Sequence, residues 1–123
     1  MKKRKLTIIL HSNEEEKINY ALSIAATAAA ITRQTELFFT GKTVNNLLDQ
    51  KTLKYKNIIS KFKFSNSEEL LLANIELKTL FLICSGALYD NDINKENLRN
   101  DINWKITGLT EIMSNDDNQL IFM

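Results

Sequence analysis

Proline is absent from this 123-residue chain, and glycine occurs only at Gly41, Gly86 and Gly108. Each glycine follows an apolar run, where the chain needs a turn before the next segment. A single cysteine excludes an internal disulfide and permits a reducing compartment. One cysteine and one histidine, far apart in sequence, do not make a protein zinc site, which takes three or four such ligands. Neither G-x-G-x-x-G nor G-x-x-x-x-G-K-[ST] occurs, so dinucleotide and P-loop phosphate binding have no support. The aspartates 90, 92, 116 and 117 lack the spacing of a metal loop and read as solvated loop carboxylates. No cofactor and no metal are expected.

Long apolar runs are missing too. The best candidate, residues 21–31, falls well short of the roughly 20 apolar residues that cross a bilayer. Met1-Lys2-Lys3-Arg4-Lys5 resembles the positive start of a signal peptide, but its apolar sequel, 6–10, is short and turns polar at His11. The expectation is a cytoplasmic protein with no membrane partner. The formal net charge of +1 gives no support to general nucleic-acid binding. That average hides a division: residues 1–60 carry ten Lys/Arg against five Asp/Glu, or +5, and residues 61–123 carry six against ten, or −4. A basic stretch with aromatics, 49–64, reads as a solvated helix face and loop, with an RNA or acidic partner as the alternative.

What is present reads as strands alternating with helices. Strands are expected at 5–10, 35–40, 79–84, 102–106 and 119–123. A capping signal at Ser12 or Asn13, with Glu15 or Glu16 beyond it, opens a helix over 16–33. Its apolar stripe (Ile18, Ala21, Leu22, Ile24, Ala25, Ala28, Ala29, Ile31) is broad and made mostly of small side chains. Such a stripe suits close burial against a sheet, or against a sheet and a neighbouring subunit. Short helices are expected at 44–48 and 95–99, and a longer one at 68–76 opened by Ser65 or Ser67. The fold expected is one domain, 1–123, an α/β/α three-layer sandwich with a mainly parallel five-stranded sheet.

The run from Thr79 to Ile83 has the unbroken apolar character of a strand buried on both faces, and it ends at Cys84-Ser85-Gly86-Ala87. Ligands and chemistry collect beyond the carboxyl ends of parallel strands, so Cys84 is the leading candidate for a catalytic residue. The competing reading is a small hydrophobe packed at the end of a core strand. A helical turn at 86–88 would bring backbone N–H groups near the sulfur and favour a thiolate. Ser85, Gly86 and Ala87 are small enough to admit an incoming thiol. His11, just past the first strand, is a candidate base at the same sheet edge. A cysteine without a resolving partner in its own chain completes its reaction with another molecule.

Leu82-Ile83-Cys84-Ser85-Gly86-Ala87-Leu88 resembles the cysteine segment of the DsrE/DsrF-like sulfur-relay family, some members of which are described as peroxiredoxin-like. The short first strand, the Ala-rich helix, the segment Leu37-Phe38-Phe39-Thr40-Gly41-Lys42-Thr43-Val44 and the closing strand after Gly108-Leu109 are similar as well. The resemblance implies a five-stranded parallel sheet in trimers or hexamers, as a homo-oligomer or with related subunits. It also implies a cysteine, here Cys84, that takes persulfide sulfur from one protein and gives it to another. Tyr89-Asp90-Asn91-Asp92 departs from the basic residue and glycine that the family often has there, and acids beside a cysteine oppose thiolate formation. The function expected is sulfur relay through Cys84. The alternatives are a non-catalytic subunit or interaction module with a packed cysteine, and a thiol-dependent peroxide reductase.

Overall fold

The computed structural model describes residues 3–49 and 67–123. The basic stretch at 49–64 lies outside the described residues except for Asp49, as does the candidate cap Ser65.

Five strands form one all-parallel sheet: β1 (Lys5–Leu10), β2 (Thr35–Phe39), β3 (Leu80–Cys84), β4 (Trp104–Thr107) and β5 (Asn118–Phe122), in the spatial order β4-β3-β2-β1-β5. Among the described residues the helices are α1 (Glu15–Ala30), α2 (Ser67–Glu76), α3 (Ser85–Asp90) and α4 (Leu109–Met113), with 3₁₀ turns at Gly41–Leu47 and Lys95–Asn97. From β1 to β4 each strand lies beside its predecessor, whereas β5 returns past three strands to pair with β1. Right-handed crossovers taken in opposite directions put their helices on opposite faces. The packing agrees. α1 and α3 bury their apolar residues with Leu6, Ile8, Leu10, Leu37, Phe39, Phe81 and Ile83 on one face, whereas Ile112 of α4 packs with Ile9, Phe38 and Leu82 on the other.

The small side chains of α1 are used within the chain. Ala21 and Ala25 are fully buried and Ala28 nearly so, in one core with Leu71 of α2 and the sheet. Asn74 of α2 donates to the Leu22 carbonyl of α1 at 3.0 Å and accepts from Thr79 at 2.8 Å. These bonds satisfy a fully buried amide and fix α2 against both α1 and the start of β3.

The helix expected over 16–33 stops at Ala30. Thr32 takes a left-handed φ of 66°, and the Thr32 and Arg33 N–H groups close back onto Ala29 and Ala28. Ile31, expected on the apolar stripe, is therefore exposed. Glu14 holds the N-cap position in place of Ser12 or Asn13, although Ser12 Oγ accepts the Glu14 N–H at 3.3 Å. The fourth strand starts at Trp104, not at 102. Arg99 and Asp101 form a knot in the preceding backbone: the guanidinium pairs with both Asp101 oxygens at 2.9 and 2.7 Å and with Glu68 of α2 at 2.7 Å. Trp104 Nε1 donates to the Arg99 carbonyl at 3.2 Å, and Ile102 turns into the core. The helix expected at 95–99 contracts to the 3₁₀ turn, boxed by Asn94 and Asn97.

Arg99 is buried, and its partners hold its pKa above the ordinary arginine value; Asp101 in turn is held below the usual carboxylate range by the guanidinium. Removing the cation leaves two half-exposed carboxylates, so Arg99→Ala should cost about 1–3 kcal/mol in urea unfolding. A depressed carboxyl pKa stabilises above its unfolded value, near 4, and that share is lost as pH falls through the folded value. Wild type should therefore lose more of its thermal midpoint on acidification below about pH 4 than Asp101→Asn does.

Candidate functional site

Cys84 is the last residue of β3 and the N-cap of α3, with extended backbone (φ −69°, ψ 120°). The helical turn expected at Gly86 starts one residue earlier, at Ser85. The thiol is half-buried and borders both apolar cores. Around it Ser85 and Gly86 are exposed and Ala87 is buried. A methyl group at Gly86 would lie 3.9 Å from Sγ, so this side of the sulfur stays clear of side chains. The first-turn N–H groups of a helix have no intrahelical acceptor, which leaves those after Cys84 available to negative charge.

α3 is pinned to the neighbouring loop through Asn91. Its amide donates to the Ala87 carbonyl at 2.7 Å and to the Gly41 carbonyl at 3.2 Å, and its oxygen accepts from Asn45 at 3.3 Å. Thr43 Oγ1 adds bonds to the carbonyls of Leu10 (2.9 Å) and Thr40 (2.6 Å), tying the ends of β1 and β2 to the same turn. Nothing in the local sequence marks Asn91 for this task. It belongs to a run that reads as loop, and only the approach of Gly41 and Asn45 gives its side chain partners outside α3.

The acidic run beyond Cys84 is displaced by the same helix. Tyr89 and Asp90 complete α3 and are exposed, and Asp92 follows it in a left-handed conformation. At 1.5 Å per residue, six helical residues carry these acids about 9 Å along the axis from Cys84. A different carboxylate comes into play from β4. Thr107 is the register partner of Cys84, one strand spacing away, and its hydroxyl donates to Glu111 of α4. Glu111 also pairs with Lys105 at 2.7 Å, and the Lys105 and Thr107 bonds hold its carboxyl below the ordinary range. Sequence reading missed these three residues, because β4 and α4 carry no motif and their nearness to Cys84 depends on strand order.

His11 lies at the same sheet edge but is turned away. β2 separates its strand from β3, so the backbones at His11 and Cys84 are two strand spacings apart, about 10 Å. The imidazole stacks on Phe122 with centroids 6.0 Å apart, and His11 N donates to the Met123 carbonyl at 2.9 Å. No hydrogen bond joins His11 to Cys84. Among the described residues no cluster of three or more His, Cys, Asp and Glu side chains can hold a metal ion, and no helix is long and apolar enough to cross a membrane.

No protein-family model matches the chain, and no curated protein matches it. Its fold does match solved structures. The YchN protein from E. coli superposes with a TM-score of 0.72 at 14% identity, covering 98% of this chain and 99% of that one. MTH1491, a protein of unknown function from Methanobacterium thermoautotrophicum, superposes with a TM-score of 0.73 at 13% identity, covering 98% and 100%. At these identities the likeness establishes the α/β fold along the chain's length.

Two glycines beside the site should respond with opposite signs. Gly41 holds φ +60°, and a methyl group there would meet the His11 ring at 3.0 Å, so Gly41→Ala should destabilise by about 1–2 kcal/mol and shift the His11 ring resonances. Gly86→Ala sits in helical backbone with ordinary contact only, and should raise stability by about 0.5–1 kcal/mol. Urea titration and NMR spectra of both variants check this.

Proposed function

We propose that the chain is a sulfur-relay protein in which Cys84 accepts and donates persulfide sulfur, in the manner of the DsrE/DsrF-like proteins that its cysteine segment resembles. The observation that carries the reading is the setting of the thiol. Cys84 stands at the carboxyl end of an inner parallel strand, half-buried at the first turn of α3, with Ser85 and Gly86 leaving an approach open. That combination suits a sulfur that must be reached by two successive macromolecular partners and held between visits.

The chemistry is two exchanges with no net oxidation. The Cys84 thiolate attacks the outer sulfur of a donor persulfide, R–S–SH. The donor S–S bond breaks, R–S⁻ leaves, and Cys84–S–SH forms. An acceptor thiolate then attacks that outer sulfur, which regenerates the Cys84 thiolate and leaves the acceptor as the persulfide. Both steps require a thiolate. Thr107, the register partner of Cys84, commits its hydroxyl to Glu111. Donor and acceptor are persulfide-bearing proteins.

Intact mass after incubation with glutathione persulfide tests the reading. The folded wild type should gain one sulfur that reductant removes, and Cys84→Ser should gain none. Iodoacetamide should modify Cys84 without denaturant. A thiol inert until the chain unfolds would overturn the proposal in favour of a packed cysteine in an interaction module. Faster reaction with hydrogen peroxide than with the persulfide would overturn it in favour of peroxide reduction through a sulfenic acid.

A further inference from the structure

Part of the excess positive charge of residues 1–60 is gathered at one place. Lys3 and Arg4 stand directly ahead of β1, Arg33 ahead of β2 and Lys78 ahead of β3, so four cations lie at the amino edge of the sheet, the edge opposite Cys84. Three of them are held by neutral oxygens. Lys3 Nζ donates to the Ile31 carbonyl, Arg4 to the carbonyls of Asp117 (3.4 Å) and Asn118 (3.3 Å), and Arg33 to the Arg4 carbonyl and the Gln119 side chain. Among the described residues none of the four pairs with a carboxylate. Glu36 and Asp101 are taken by Lys5 and Arg99, and Glu76, Asp116 and Asp117 form no ion pair with the four. Like charges held together without a counter-ion repel, and an anion joining them relieves that repulsion.

A cleft opens at the same edge. It has a volume of about 330 Å³ and lies between the turn that leads into β2 (32–36) and the turn that leads into β3 (77–80), with Ala29 of α1 completing it. Its size is that of a small-molecule site. Arg33 and Lys78 bring positive charge to the lining, and Lys3 Nζ reaches Thr32 Oγ1, on the same wall, at 3.4 Å. Leu77, 39% exposed, and Leu80 give the other wall an apolar part. The buried threonines of the lining donate inward, Thr35 to the Arg33 carbonyl and Thr79 to Asn74, both at 2.8 Å. Donors to a ligand therefore come from the cations and the exposed Gln34 amide. We propose that this cleft binds a small organic phosphate, with the phosphate on Lys78, Arg33 and Lys3 and the apolar part against Leu77. Three cations select that group: a phosphate monoester has three terminal oxygens and close to two charges, whereas a carboxylate has two oxygens and one charge. From Leu80 to Cys84 the strand runs about 13 Å, so the ligand lies apart from the thiol. The inference goes beyond the relay reading and does not depend on it.

NMR titration of the ¹⁵N-labelled full chain with phenyl phosphate, inorganic phosphate, benzoate and phenol tests it. Phenyl phosphate should shift the amides of Thr32, Gln34 and Thr79 saturably at millimolar concentration, inorganic phosphate and benzoate more weakly, and phenol not at all. Sodium chloride should weaken the binding. Lys78 holds a left-handed φ of 63°, a conformation that favours glycine, so Lys78→Gly removes a cation while its urea midpoint should hold or rise. Combined with Lys3→Gln it should raise the dissociation constant of phenyl phosphate at least about fivefold. Lys42→Gln, beyond the carboxyl end of β2, should leave that constant unchanged. Three results would overturn the proposal: no saturable shift at these amides, shifts as large with phenol as with phenyl phosphate, or equal affinity in the double variant. Benzoate bound as tightly as phenyl phosphate would overturn the assignment of a phosphate.

Discussion

All five strands run the same way, so every connection must leave one end of the sheet and return to the other on one side of it. Three connections progress from β1 to β4 and place the longer of the described helices on one face. The fourth reverses direction, and the preferred right-handed crossover puts it on the other face. Only ten residues, 108–117, separate β4 from β5, and they must pass β3, β2 and β1 to reach the far edge. The reversal therefore has length for only a five-residue helix. Both the exposed apolar surface on α4 and β5 and the placement of Glu111 beside Thr107 depend on this one crossing.

The same topology gives the thiol its setting. An inner strand supplies a rigid backbone on both sides of β3, and the abrupt change from strand to helix at Cys84 lifts the sulfur out of the core without freeing it. Asn91, Asn45 and Thr43 hold α3 to the Gly41 turn, which fixes the helix that begins directly after Cys84.

The polar groups near the other end of the α4 face are organised differently. Thr7, fully buried, donates to Glu36 at 2.7 Å and accepts from Asn118 at 2.6 Å, so one line of bonds ties β5, β1 and β2 together beneath the Lys5–Glu36 pair. Asn118 Oδ1 is the one buried side-chain oxygen or nitrogen among the described residues without a bonding partner. A bonded polar line at one end and apolar exposure at the other distinguish the two ends of the face.

Local sequence determined the periodic parts: the apolar run ending at Cys84, the Ala-rich stripe of α1, and the alternation of strands and helices that implies a parallel sheet. These follow from side-chain size and spacing, which act over a few residues and need no distant partner. The start of α3 directly beyond the cysteine was legible too, within one residue. What only the tertiary structure decided depends on which strands are neighbours. Strand order set His11 two strands from Cys84 and stacked it on Phe122, and it brought Thr107 and Glu111 into the thiol's vicinity although neither carries a motif. The length of α3 moved the acidic run away from the sulfur, and the Arg99 knot delayed β4 by two residues. Each outcome is a contact between segments remote in sequence, and its free energy appears only when the sheet has formed.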